Sequence, residues 1–178
     1  MAKIAFSKLN KIKSIPAKTI TIADAEVSVA QYLPLEEKLN LIQSVIEQSG
    51  NGEEGFYNIV KLRTYYTIEM LRAYTNISFT EKQLEDTPKL YDAIVMNRIW
   101  EQVCEAIPDE ELEYTWSNTR KLAKEITEYN HSALGILKAV KQDYGEEGFT
   151  LDKINEMLTK LQNPDEMNLV KAAIEDMV

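Results

Sequence analysis

One cysteine and one histidine in 178 residues exclude a disulfide framework and any Cys/His zinc cluster. Six glycines and five prolines are too few for a collagen-like or low-complexity chain. No apolar run approaches the ~20 residues of a membrane-spanning helix, and the first sixteen residues lack the apolar core of a signal peptide. Also missing are a glycine-rich phosphate loop, a G-x-S-x-G elbow and an H-E-x-x-H pair. What is present, 44% apolar and 28% charged residues, is the composition of a soluble chain long enough to bury its own core.

Charge is unevenly placed. The net charge is −9, yet residues 1–18 hold Lys3, Lys8, Lys11, Lys13 and Lys18 and no acid. The rest therefore carries fifteen basic against 29 acidic residues, or −14. A basic arm on an acidic body can meet an acidic partner surface, its own body or nucleic acid. Ile4, Phe6, Leu9, Ile12 and Ile15 interleave with the lysines and favour docking on protein, while an acidic body repels phosphate.

Strands precede helices. Thr19-Ile20-Thr21-Ile22 and Glu26-Val27-Ser28-Val29 alternate polar and β-branched residues, and Ala23-Asp24-Ala25 is short enough for a hairpin turn. A lone hairpin is marginal in water, so it must pack on helices or pair with another chain's strand. Pro34 opens a helix with an apolar stripe of Leu35, Leu39, Ile42, Val45 and Ile46, stopped by Gly50-Asn51-Gly52. A second is expected over 56–74, with Ile59, Val60, Arg63, Thr67, Met70, Leu71 and Tyr74 on related turns. Thr80 to Gln83 reads as a capping box for a short helix. Thr87-Pro88 begins the next, whose buried face is Leu90, Tyr91, Ile94, Val95, Ile99 and Val103.

After Pro108 the pattern predicts one long helix over 109–144, with Leu112, Trp116, Leu122, Ile126, Leu134, Leu137 and Val140 inward. At about 1.5 Å per residue it would span roughly 54 Å, too long for a domain of this size. A bend or break is therefore expected at Gly135 or the polar stretch Glu128-Tyr129-Asn130-His131. Thr150 and Asn163-Pro164 cap two last short helices. The expected fold is mainly α: a bundle of about six to seven helices behind an N-terminal β-hairpin. Its expected layout is a basic arm (1–18), the hairpin (19–31) and a single helical domain (32–178).

Signals for chemistry are thin. Gly52-Glu53-Glu54-Gly55-Phe56 recurs as Gly145-Glu146-Glu147-Gly148-Phe149, but neither segment has the alternating acids of a calcium loop, and both read as helix-to-helix turns. His131 has only Glu128 and Thr127 one turn before it. Cys104 has no histidine near it in sequence and reads as a small packed thiol. The acids Asp109, Glu110, Glu111 and Glu113 suit a helix N-terminus. No catalytic, metal or cofactor residue is assigned. Tyr57, Tyr65, Tyr66, Tyr74, Tyr91 and Trp100 crowd into residues 56–100, as a helical core and as a partner face.

The run Gln31-Tyr32-Leu33-Pro34-Leu35-Glu36-Glu37-Lys38-Leu39 resembles a small protein family of tailed bacteriophages and prophages of Gram-positive bacteria. So do Ala73-Tyr74-Thr75-Asn76-Ile77-Ser78-Phe79-Thr80-Glu81-Lys82-Gln83 and Lys89-Leu90-Tyr91-Asp92. Weaker similarity lies in Ser132-Ala133-Leu134-Gly135-Ile136-Leu137 and Asn163-Pro164-Asp165. The resemblance covers most of residues 19–95 and patches beyond; it marks a fold, and no functional residue carries over. The organisation is similar to tail assembly chaperones, which implies a non-enzymatic morphogenesis protein that holds other phage structural proteins.

Two other roles remain open: a virion component (capsid, head-interior or connector) and an inhibitor of a host or defence enzyme. The implied location is the host cytoplasm during assembly, or the virion. Three faces would carry binding. They are the hairpin (Ile20, Ile22, Val27, Val29), the arm (Lys3, Lys8, Lys11, Lys13) and the exposed part of Tyr57, Tyr65, Tyr66 and Trp100. Partners are then phage structural proteins or a second copy of the chain, with nucleic acid reached only through the arm and no membrane contact.

Overall fold

The computed structural model describes residues 3–8, 14–50, 56–132 and 135. Within them the chain is mainly helical, with an N-terminal two-stranded antiparallel hairpin followed by six α-helices. Two compact units divide the chain: residues 1–50 with 58–120, and residues 51–57 with 121–178.

The hairpin pairs β1 (Lys18–Ile22) with β2 (Ala25–Val29), Ile22 opposite Ala25, through a two-residue turn at Ala23-Asp24. Both turn residues have positive φ, 46° and 65°, the conformation that lets a two-residue loop follow the right-handed strand twist. The outer edge of β2 is tied to the end of a later helix. Val29 bridges Thr75, Ala30 N–H donates to the Tyr74 carbonyl at 2.7 Å, and Ser28 N–H donates to Asn76 Oδ1 at 3.0 Å. Ile22, Val27 and Val29 are buried, so this hairpin meets its need for cover on its own chain.

Helix α1 (Leu35–Ser49) begins one residue after Pro34, which stands outside it with extended ψ. Its buried face is Lys38, Leu41, Ile42, Val45, Ile46 and Ser49, whereas Leu35 and Leu39, expected inward, are exposed. Helix α2 (Ile59–Tyr74) starts three residues later than expected because the Asn58 side chain accepts from the Val60 and Lys61 amides. Ile59 and Val60 consequently sit exposed in its first turn, and the buried face begins at Leu62 and includes Tyr66, Ile68, Met70, Leu71 and Tyr74. It packs on α1, joined also by Gln48 Nε2 donating to Glu69 Oε1 at 2.8 Å.

The capping box at Thr80 and Gln83 is present and starts α3 (Glu81–Glu85). Asp86 then caps α4 (Thr87–Met96), with Pro88 in its first turn. The expected helix through Val103 is broken: Arg98 takes a left-handed conformation (φ 54°) and a separate helix, α5 (Ile99–Cys104), follows. Helix α6 (Asp109–Asn130) is shorter than the pattern predicts and ends in the polar stretch where a break was expected. Gly135 lies so close to the Tyr129 carbonyl that a Cβ there would collide with it.

The buried face of α6 also differs from expectation. Glu111, Thr115 and Thr119, four residues apart, are buried, while Leu112 and Trp116 are half-buried. Thr115 meets Tyr66 of α2, and each hydroxyl is satisfied: Thr115 donates to the Glu111 carbonyl at 2.8 Å, Thr119 to that of Thr115 at 2.7 Å.

Ile4, Phe6 and Ile15 stand exposed rather than docked, and a short 3-10 turn covers Phe6–Lys8. Lys11, Lys13, both Gly-Glu-Glu-Gly segments, the extension over 136–144 and the two C-terminal helices lie outside the described residues.

Candidate functional site

Residues of α2, α5 and the first turns of α6, all within the first unit, converge on an aromatic cleft. Helix α2 contributes Arg63, Tyr66 and Thr67 at i, i+3 and i+4, and α5 contributes Trp100 and Cys104 one turn apart. Helix α6 contributes Asp109, Leu112, Glu113 and Trp116 at i, i+3, i+4 and i+7, a single helix face. The space enclosed is about 480 Å³, within the range of small-ligand and side-chain pockets.

Its floor is Tyr66. The ring meets Trp100 edge-on at 6.1 Å between centroids and Trp116 tilted at 4.8 Å, arrangements favoured by the ring quadrupoles. The Tyr66 hydroxyl is anchored on α6, 2.8 Å from Thr115 Oγ1 and 3.2 Å from the Leu112 carbonyl. Burial pushes its phenol up to about 12, against the lowering effect of the Thr115 hydrogen bond. Both tryptophans of the chain line this cleft, and each is partly open to solvent. At the mouth, Arg63, Asp109 and Glu113 are exposed, two acids against one base.

Cys104 lies in the same wall, but burial raises its thiol to about 12, so at neutral pH it is the poorly nucleophilic protonated form. His131, in the other unit, is an exposed ring against Phe56, with centroids 4.0 Å apart. Among the described residues no three His, Cys, Asp or Glu side chains gather where they could hold a metal ion. No helix among them is long and apolar enough to cross a membrane.

Beside the cleft, α6 holds a buried charge cluster. Glu111 Oε1 takes a 2.6 Å ion pair from Lys38 Nζ, and Oε2 accepts from Tyr74 OH at 2.8 Å and from the Leu33 amide at 3.3 Å. Lys38 Nζ also sits over the Tyr32 ring, 4.2 Å from its centroid, and 5.1 Å from that of Tyr114. Burial alone would raise the Glu111 carboxyl. The hydrogen bonds from Lys38, Tyr74 and Leu33, with the ammonium charge, outweigh it and hold the carboxyl below its ordinary value. Burial and the Glu111 carboxylate raise the Tyr74 phenol. The cluster is closed, every partner satisfied, and it locks α1 to α6.

Of the residues expected to bind partners, the cleft unites Tyr66 and Trp100. Tyr65 lies elsewhere, in a smaller groove of about 410 Å³ between α2 and α4 with Val60, Pro88 and Tyr91. Tyr57 belongs to the second unit, where burial raises its phenol. In the hairpin, Ile22, Val27 and Val29 face the core and Ile20 is half-buried, so it offers Thr19, Thr21 and Glu26 outward. Lys3 and Lys8 are exposed. Sequence patterning took Trp116 and Leu112 as core, and Asp109 and Glu113 as a helix cap alone. Their i, i+3, i+4, i+7 spacing was the signal that one face carries all four.

No protein-family model, curated protein or solved structure matches this chain. The cleft therefore rests on its own geometry: an apolar, aromatic, acid-rimmed recess without a reactive group poised in it.

Proposed function

We propose that this chain is a non-enzymatic protein-binding module of a tailed bacteriophage, one that holds other phage structural proteins during particle assembly as a tail assembly chaperone does. The observation that carries the binding role is the open cleft with Trp100 and Trp116 around Tyr66. Tryptophan and tyrosine gathered in a partly exposed recess are the composition of an interface hot spot. The phage setting is supported by the resemblance of residues 31–39, 73–83 and 89–92 to phage and prophage proteins.

The cleft would take an apolar client side chain. An aromatic one of about 150–250 Å² gains roughly 4–6 kcal/mol of gross apolar transfer at ~25 cal/mol per Å², before the cost of ordering. Such a gain is one anchor of a wider interface, since association itself costs ~4–15 kcal/mol. It is weak enough to yield when subunit–subunit contacts claim the same side chain. The excess of acid, −9 over the whole chain, keeps the holding protein itself dispersed.

A second reading, a virion component, draws on the exposed Lys3, Ile4, Phe6 and Lys8, which could reach across a subunit boundary. Mass spectrometry of purified particles from the encoding phage separates the two. The chaperone role predicts abundance in infected-cell lysate and no more than trace in particles. Fixed stoichiometry in the particle would replace it with the virion role.

A further inference from the structure

We propose that the aromatic cleft of one copy seats the N-terminal arm of a second copy, Phe6 entering between Trp100 and Trp116 while the arm lysines face Asp109 and Glu113. This rests on the reading of the cleft as a protein-binding surface and names its resident occupant.

The chemistry of the arm mirrors that of the cleft. Residues 1–18 interleave five lysines with Ile4, Phe6, Leu9, Ile12 and Ile15 and contain no acid, while the body carries −14. The cleft offers aromatic walls inside and two carboxylates against one guanidinium at its mouth. Phe6 is 75% exposed and Ile4 69%, so neither is seated among the described residues. Phe6 lies twelve residues before β1, and at about 3.3 Å each these reach at most on the order of 40 Å, enough to cross to a neighbouring molecule. An arm so placed would occupy the cleft until a client with a better-fitting apolar segment displaced it.

Sedimentation equilibrium of the full chain, with tryptophan emission recorded over the same concentrations, tests this. The expected result is reversible self-association with a blue shift, because both tryptophans line the cleft. It should weaken at least tenfold between ~0.1 M and ~1 M salt, as the screening length falls from about 10 Å to about 3 Å. Phe6→Ser, which touches an exposed residue, should abolish both signals with the circular dichroism spectrum unchanged. Glu113→Lys should weaken association, and mixing that variant with Lys8→Glu should restore it.

A chain monomeric at every concentration, or association indifferent to Phe6→Ser, overturns the proposal. So does a concentration-independent emission shift lost in Phe6→Ser, which would place the arm on its own cleft. Association abolished by nuclease would assign the arm to nucleic acid and also overturn it. The function stands apart: a monomeric chain that still captures phage subunits leaves the function standing without the exchange. Self-association without capture does the reverse.

Discussion

Glu111 is the residue on which the first unit turns. It joins α1, α2 and the segment before α1 through Lys38, Tyr74 and Leu33. Removing its charge leaves the Lys38 ammonium, whose side chain is 7% exposed, without a counter-ion. Glu111→Gln should therefore cost about 3–5 kcal/mol, read as a lower urea midpoint, while Lys38→Met with Glu111→Leu should recover part of the loss. The pH dependence has a definite sign. The folded carboxyl titrates below its unfolded value near ~4.3, so its contribution is complete above that value and disappears as pH falls through the folded one. Glu111→Gln should flatten the acid limb of the stability profile; an unchanged limb would remove Glu111 from that role.

At the scale of elements, local signals were readable where they act within a few residues. The alternation of Thr19 to Val29 gave the hairpin, and Thr80 with Gln83 gave the start of α3. Helix faces were not readable in the same way. Periodicity put Leu35 and Leu39 inward, but α1 turns Lys38 inward because its partner lies 73 residues on, beyond any local pattern. The same pairing turns Glu111 and Thr115 toward α2 and frees Leu112 and Trp116 for the cleft. The break at Arg98 was hidden too, since left-handed backbone at an arginine has no sequence mark of the kind glycine supplies. The hairpin turn makes a further prediction. Ala23 and Asp24 both adopt positive φ, at about 1–2 kcal/mol each for ordinary residues and less for aspartate. Ala23→Asn with Asp24→Gly should raise stability by about 1 kcal/mol in urea unfolding. A loss of stability would show that the turn is not the two-residue form.

At the scale of the molecule, an acidic helical body presents a tryptophan-lined recess among the described residues, and the chain begins with a basic, apolar arm. The body's charge opposes nucleic acid and polyanions, and the recess has apolar walls with no activated nucleophile, Cys104 being protonated. Such a surface suits the binding role proposed above, and the phage partner is part of that proposal. The most direct measurement is quantitative mass spectrometry of what co-purifies with the tagged full chain from infected cells, wild type beside Trp100→Ser. The account predicts tail-tube or tape-measure subunits with the wild type, reduced at least tenfold by Trp100→Ser at equal expression and equal circular dichroism. Equal recovery of those subunits by both proteins, or recovery of a host enzyme in their place, would contradict it.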